Sequence, residues 1–104
     1  MFHPCVVIPV YNHEHAIGKV VAQVAQHGLP CILVDDGSSA ACAAVLDALV
    51  AAYPGQVVLE RHAVNQGKGG AVLTGFARAG RDGYSHVLQV DAEDRKSTRL
   101  NSSH

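Results

Sequence analysis

Four apolar runs punctuate the chain, and between them apolar residues recur at helical spacing. Pro4-Cys-Val-Val-Ile-Pro-Val10 comes first. It is apolar without alternation, the pattern of a strand covered on both faces. Pro9 cannot donate a ladder hydrogen bond, so it belongs near the strand's end. The loop Tyr11-Asn-His-Glu-His15 follows. Residues 16–27 predict a helix, with Ile17, Val20, Val21 and Val24 on one face. Gly28 and Pro30 are its stop signals.

A second buried strand is predicted over residues 31–34, and it runs into Asp35-Asp-Gly-Ser38. Ser38 or Ser39 then caps a helix over residues 40–52, which Tyr53-Pro-Gly55 ends. Residues 56–61 read as a third strand; their mixed alternation, with charges late, suits a sheet edge. His62-Ala-Val-Asn-Gln-Gly-Lys-Gly-Gly70 opens into a third helix over residues 69–79, and Gly80 and Asp82-Gly83 are turn signals. A fourth strand over residues 84–90 ends at Asp91. Strands alternating with helices predict an α/β domain with a mainly parallel sheet. Every chemically interesting loop follows a strand, and ligands of such sheets bind at the strands' carboxyl ends.

Asp35 and Asp36 are therefore placed where the second strand leaves the sheet. Adjacent acids there repel and need donors or a cation nearby. Two readings stand: one acid caps the next helix while the other is solvated, or both serve a ligand.

The totals narrow the classes. One hundred and four residues make one small domain with one core. Hydrophobic residues are 48%, with no Trp and two Phe, an aliphatic globular composition. No apolar run approaches the roughly 20 residues of a membrane span. The first strand begins almost at once, so no secretory signal is visible and a cytoplasmic location is expected. A net charge of -1 gives no footprint for nucleic acid. Cys5, Cys31 and Cys42 lack metal-ligand spacing; Cys5 and Cys31, in predicted strands, are expected to be buried thiols of a reducing compartment, and neither a disulfide nor a zinc site is indicated. His13 and His15 are an i, i+2 loop pair, a spacing more often incidental than metal-binding, and their imidazoles would suit zinc better than a hard cation.

Residues 94–104 break the composition, holding three of the eight basic residues and one apolar residue. The string resembles the translation of a common sequencing-library adapter. This implies a non-native tail after a native stretch of residues 1–93, and such tails are set aside in reasoning about a fold. On that reading the adapter supplies the last base of the codon for Glu93. Glu and Asp codons share their first two bases, so the source gene is expected to encode Asp there.

Four segments resemble the family 2 glycosyltransferases of the GT-A fold. They are Val6-Val-Ile-Pro-Val-Tyr-Asn12, Val34-Asp-Asp-Gly-Ser38, Asn65-Gln-Gly-Lys-Gly-Gly-Ala71 and Gln89-Val-Asp-Ala92, in the family's order and spacing. The resemblance covers residues 5–92. It implies a truncated GT-A domain, a Rossmann-like three-layer sandwich, in which residues 1–93 are the amino-terminal, nucleotide-sugar-binding half. The acceptor site and catalytic base would lie beyond it.

What the resemblance implies for the residues fits their chemistry. An ionised carboxylate accepts only, which suits the imino N–H of a nucleobase, and the family puts this task on Asp36, beside Asp35. Pro9, Tyr11 and Asn12 lie in the loop that packs base and ribose. The family's usual Glu after Tyr-Asn is His13 here, with Glu14 beside it, so the resemblance leaves the nucleoside contact to one or the other. Gly67 and Lys68 open a helix whose amino terminus favours the diphosphate. Asp91 and the residue at 93, here Glu93, would hold Mg²⁺ or Mn²⁺, hard ions that select oxygen ligands. The expected activity is metal-dependent, inverting sugar transfer from a UDP- or GDP-linked donor. Polyprenyl phosphate, a glycan and a lipid are all open as acceptor, and membrane association of the full-length protein stays open with them. A non-catalytic nucleotide-binding module is the alternative. A dinucleotide-dependent oxidoreductase is less favoured, because no Gly-x-Gly-x-x-Gly follows the first strand.

Overall fold

A computed structural model describes residues 2–92; Glu93 and the 94–104 tail lie outside the described residues. Seven elements follow in order: β1 (Pro4–Val10), α1 (Ile17–Gln26), β2 (Cys31–Asp36), α2 (Ala40–Ala52), β3 (Val57–His62), α3 (Gly67–Arg81) and β4 (His86–Gln89). The four strands are all parallel, in the order β3-β2-β1-β4. β1 and β2 are central, which is why both read as apolar without alternation. β3 lies at an edge, as its late charges predict.

Alternate residues of a strand face opposite sides, so each central strand feeds two cores. Val6, Ile8, Val10, Cys31 and Leu33 pack with Ile17, Val20, Val21 and Val24 of α1 and with Cys42 and Leu46 of α2. Cys5, Val7, Ile32 and Val34 pack against Ala71 and Ala79 of α3 on the other side. The result is a three-layer α/β sandwich.

Pro9 sits inside β1, paired with Val34 of β2. The Val6 amide bonds Pro30 toward β2, while the Val7 carbonyl accepts from the Val90 amide toward β4. By alternation the Pro9 nitrogen faces the β4 side, beyond Gln89, the last ladder residue there. No bond is lost.

Two elements run two residues past the sequence expectation, each for a tertiary reason, while β4 is shorter than the expected 84–90 and β3 is shifted by one residue. β2 continues through Asp35 and Asp36, because β3 runs alongside and pairs Asp35 with Arg61 and Asp36 with His62. Helix α3 takes in Gly67 and Gly80. Its small residues Ala71, Gly75 and Ala79 form the buried stripe, and Arg78 and Arg81 complement the helix's negative end.

The cysteines are buried and unbridged. Burial, reinforced by Cys5 nearby, pushes the Cys31 thiol up to about 12. Burial also raises Cys5. These thiols stay protonated and unreactive at neutral pH.

Candidate functional site

The chain steps outward from β1 to β2 to β3, then returns to place β4 on β1's other side. Neighbouring strands whose connections run opposite ways leave a crevice at their carboxyl ends. Ladder pairing of β4 stops at Gln89, level with Val7, so Asp91 and Ala92 arrive beside the end of β1. A cleft of about 310 Å³ opens there, lined by residues that include Pro9, Val10, Tyr11, His13, Asp36, Gly67, Lys68 and Asp91. That is the low end of the roughly 300–1,000 Å³ typical of small-molecule pockets.

Asp35 and Asp36 part company here. As consecutive strand residues they face opposite sides of the sheet. Asp35 lies on the α2 face, 1% exposed. Its Oδ1 accepts from the Ser38 amide at 2.9 Å and its Oδ2 from Arg61 Nε at 2.9 Å. Arg61 also reaches Asp47 Oδ1 of α2 at 3.2 Å. Asp36 lies on the α3 face, 2% exposed, and lines the cleft. Its Oδ1 accepts from His62 Nδ1 and from the Gln66 amide, both at 2.8 Å, and its Oδ2 from Asn65 Nδ2 at 3.1 Å. Burial pushes the Asp36 carboxyl up, but the bonds from His62 and the Gln66 and Gly67 amides, with the charge of His62, outweigh it and leave it lowered. The expectation that the pair needs donors holds for each acid separately. Neither is a solvated cap: Ser39 caps α2, accepting from the Cys42 amide at 3.4 Å.

Asn12 has a left-handed backbone, φ 58, which Asn tolerates better than most residues. Its side-chain Oδ1 accepts from the Ser39 amide at 2.7 Å, and its own amide donates to Ser38 Oγ at 3.0 Å. It thus ties the loop after β1 to the loop after β2, while neighbouring Tyr11 stands half exposed at the cleft. Glu14 follows His13, and its Oε1 is buried with no hydrogen-bond partner among the described residues. An acceptor in that state costs about 1–3 kcal/mol.

The amino terminus of α3 forms the opposite wall. Gly67 has φ 88, open to glycine and strained for other residues. Gln66 makes no side-chain cap, and the first turn carries no acid. Asp36 itself takes the Gln66 and Gly67 amides, and the next amides of the first turn are left to face an anion. Lys68 Nζ pairs with Asp91 Oδ1 at 2.8 Å, both side chains at least half exposed.

Of the residues singled out from sequence, Pro9, Tyr11, His13, Asp36, Gly67, Lys68 and Asp91 meet at the cleft. Asn12 and Asp35 brace the loops behind it, and Glu14 adjoins it. Glu93 lies outside the described residues. Among the described residues no group of three His, Cys, Asp or Glu is placed to cage a metal. Sequence reasoning gave no individual site role to Asn65, His62 or Thr74, although it quoted the first two in their segments. Position could have found the first two, since both follow or end a strand at the same rim.

The sequence profile described as Glycosyl transferase family 2 matches residues 5–99, reaching six residues into the tail. The polyprenol monophosphomannose synthase of Mycolicibacterium smegmatis (strain ATCC 700084 / mc(2)155) is 35% identical over 91 residues. The alignment covers 85% of this chain and 34% of that protein, so the chain spans about a third of that relative's length. The solved structure of the mannosyltransferase PcManGT from Pyrobaculum calidifontis, in complex with GDP-Man and Mn2+, matches with a TM-score of 0.71 at 21% identity. It covers 86% of this chain and 27% of that one, and it shows a shared fold.

Proposed function

The chain belongs to the family 2 glycosyl transferases, and on that premise we propose that residues 2–92 bind the nucleoside diphosphate of a nucleotide-sugar donor. The whole protein would transfer the sugar to an acceptor with inversion, the catalytic base standing outside this stretch. Residues 94–104 are read as adapter-derived. One observation carries the proposal: Asp36, the start of α3 with Lys68, and Asp91 meet in a single cleft at the sheet's switch point.

Each group has a task suited to its chemistry. Asp36 accepts from the base, and Pro9 and Tyr11 supply an apolar wall. His13, which lines the cleft, or Glu14 beside it takes a further nucleoside contact. The α3 amides and Lys68 hold diphosphate oxygens. A divalent cation would be held by Asp91, a hard oxygen donor, together with the residue at position 93, which lies outside the described residues. When bound it would offset the charge that grows on the leaving diphosphate.

The named relatives favour GDP-mannose as donor and a polyprenyl phosphate as acceptor. Such an acceptor would bring the full-length protein to a membrane surface, although no helix among the described residues is long and apolar enough to cross one. Calorimetric titration of the chain with GDP and UDP, with and without Mn²⁺, tests the reading. Metal-enhanced binding of either supports it, and binding of neither ends it. The chain's share of its relative's length favours a second reading of this stretch by itself, as a binding module without catalysis. Sugar transfer by the isolated chain would exclude that.

A further inference from the structure

We propose that His62, backed by Thr74, is a positioning residue that sets base selectivity by holding Asp36 as a fixed acceptor for nucleobases bearing an imino N–H. The inference rests on the nucleotide reading above and specifies its base subsite.

His62 ends β3 level with Asp36, and its side chain is 8% exposed. Nδ1 lies 2.8 Å from Asp36 Oδ1, and Nε2 lies 2.8 Å from Thr74 Oγ1 on α3. The ring is thus gripped at both ends. An ionised carboxylate can only accept, so Nδ1 carries hydrogen and donates in either protonation state of the ring. In the neutral ring the Thr74 hydroxyl donates to Nε2; in the cation Nε2 donates to Thr74. Two donors, His62 Nδ1 and the Gln66 amide, crowd Oδ1. Oδ2, with its longer bond from Asn65, is the oxygen more open to an incoming imino N–H, and the Gly67 amide also bonds the carboxylate.

That arrangement selects among bases. Uracil N3 and guanine N1 carry the hydrogen an acceptor needs. Cytosine N3 and adenine N1 present a lone pair there, which a carboxylate repels. A protonated Asp36 would donate instead and reverse the preference. His62 opposes protonation by bonding to the ionised form, in line with the lowered Asp36 carboxyl.

The test is titration of the chain with UDP, GDP, CDP and ADP in Mn²⁺, for the native sequence, His62→Leu, His62→Asn and Thr74→Val, each with a thermal melt. The native chain is expected to prefer UDP or GDP over both CDP and ADP by about tenfold or more. His62→Leu should compress that ratio to about threefold or less, and His62→Asn, whose amide nitrogen stands near the Nδ1 position, should restore most of it. Thr74→Val keeps shape and should lower the ratio partway, a readout that survives if His62→Leu does not fold. A merely structural role would weaken all four nucleotides together or lower the melting temperature with the ratio unchanged, and that result overturns the inference. No binding by the native chain overturns the nucleotide reading, and this inference with it.

Discussion

The Lys68 ammonium lies 2.8 Å from Asp91 Oδ1, joining the start of α3 to the chain leaving β4. The pair lies at the cleft's rim and sets a cation where a diphosphate and its metal would come. Both side chains are at least half exposed, so the bond itself contributes little to stability, roughly 0–1 kcal/mol. Lys68→Met is expected to leave the unfolding midpoint almost unchanged while weakening GDP or UDP binding about tenfold, near 1.4 kcal/mol. Parallel urea melts and calorimetry would separate the two effects.

Asp35 invites the opposite experiment. Its buried carboxylate is bonded to Arg61 and the Ser38 amide on the face away from the cleft. Arg61 is 41% exposed, which dilutes the pair's strength relative to a fully buried one. Asp35→Ala should cost about 2 kcal/mol of stability through lost hydrogen bonds. Nucleotide affinity, measured well below the melting temperature, should change less than about threefold, under 1 kcal/mol. A large affinity loss in a stable variant would return Asp35 to the ligand site.

Gly75 tests the packing of α3. A Cβ there would collide with Val7 Cγ1 and press on Val34 Cγ2 at 3.2 Å. Ala ordinarily improves a helix over Gly by about 1 kcal/mol. Overpacking a tight core costs about 1–3 kcal/mol. Gly75→Ala is therefore expected to be destabilising on balance, read as a lower urea midpoint with an unchanged slope.

Acid should act through Asp36. Its carboxyl is lowered in the folded chain, so the ionised form contributes stability above the ordinary aspartate value, about 4. That contribution shrinks as pH falls below this value and is gone once pH passes the lower folded value. Asp36→Asn should flatten this part of the stability curve below about pH 4. Chemical denaturation at stepped pH would show it, and an identical acid limb in the variant would contradict the assignment.

Much was legible because local chemistry fixes it. The uninterrupted apolar runs of β1 and β2, the Gly28 stop and the strand–helix alternation each follow from covalent geometry and burial, and they suffice to predict a parallel sheet with its loops on one rim. Pairing decided the rest. The sequence cannot say that β3 will run beside Asp35 and Asp36, so it leaves them in a turn; the added ladder keeps them extended, and extension turns adjacent acids to opposite faces. One becomes an anchor for Arg61 and the other a cleft wall. His62 and Thr74 are twelve residues apart and on different elements, so no local pattern marks them as partners. Only the approach of α3 to the sheet, which Gly75 permits, brings hydroxyl, ring and carboxylate into line.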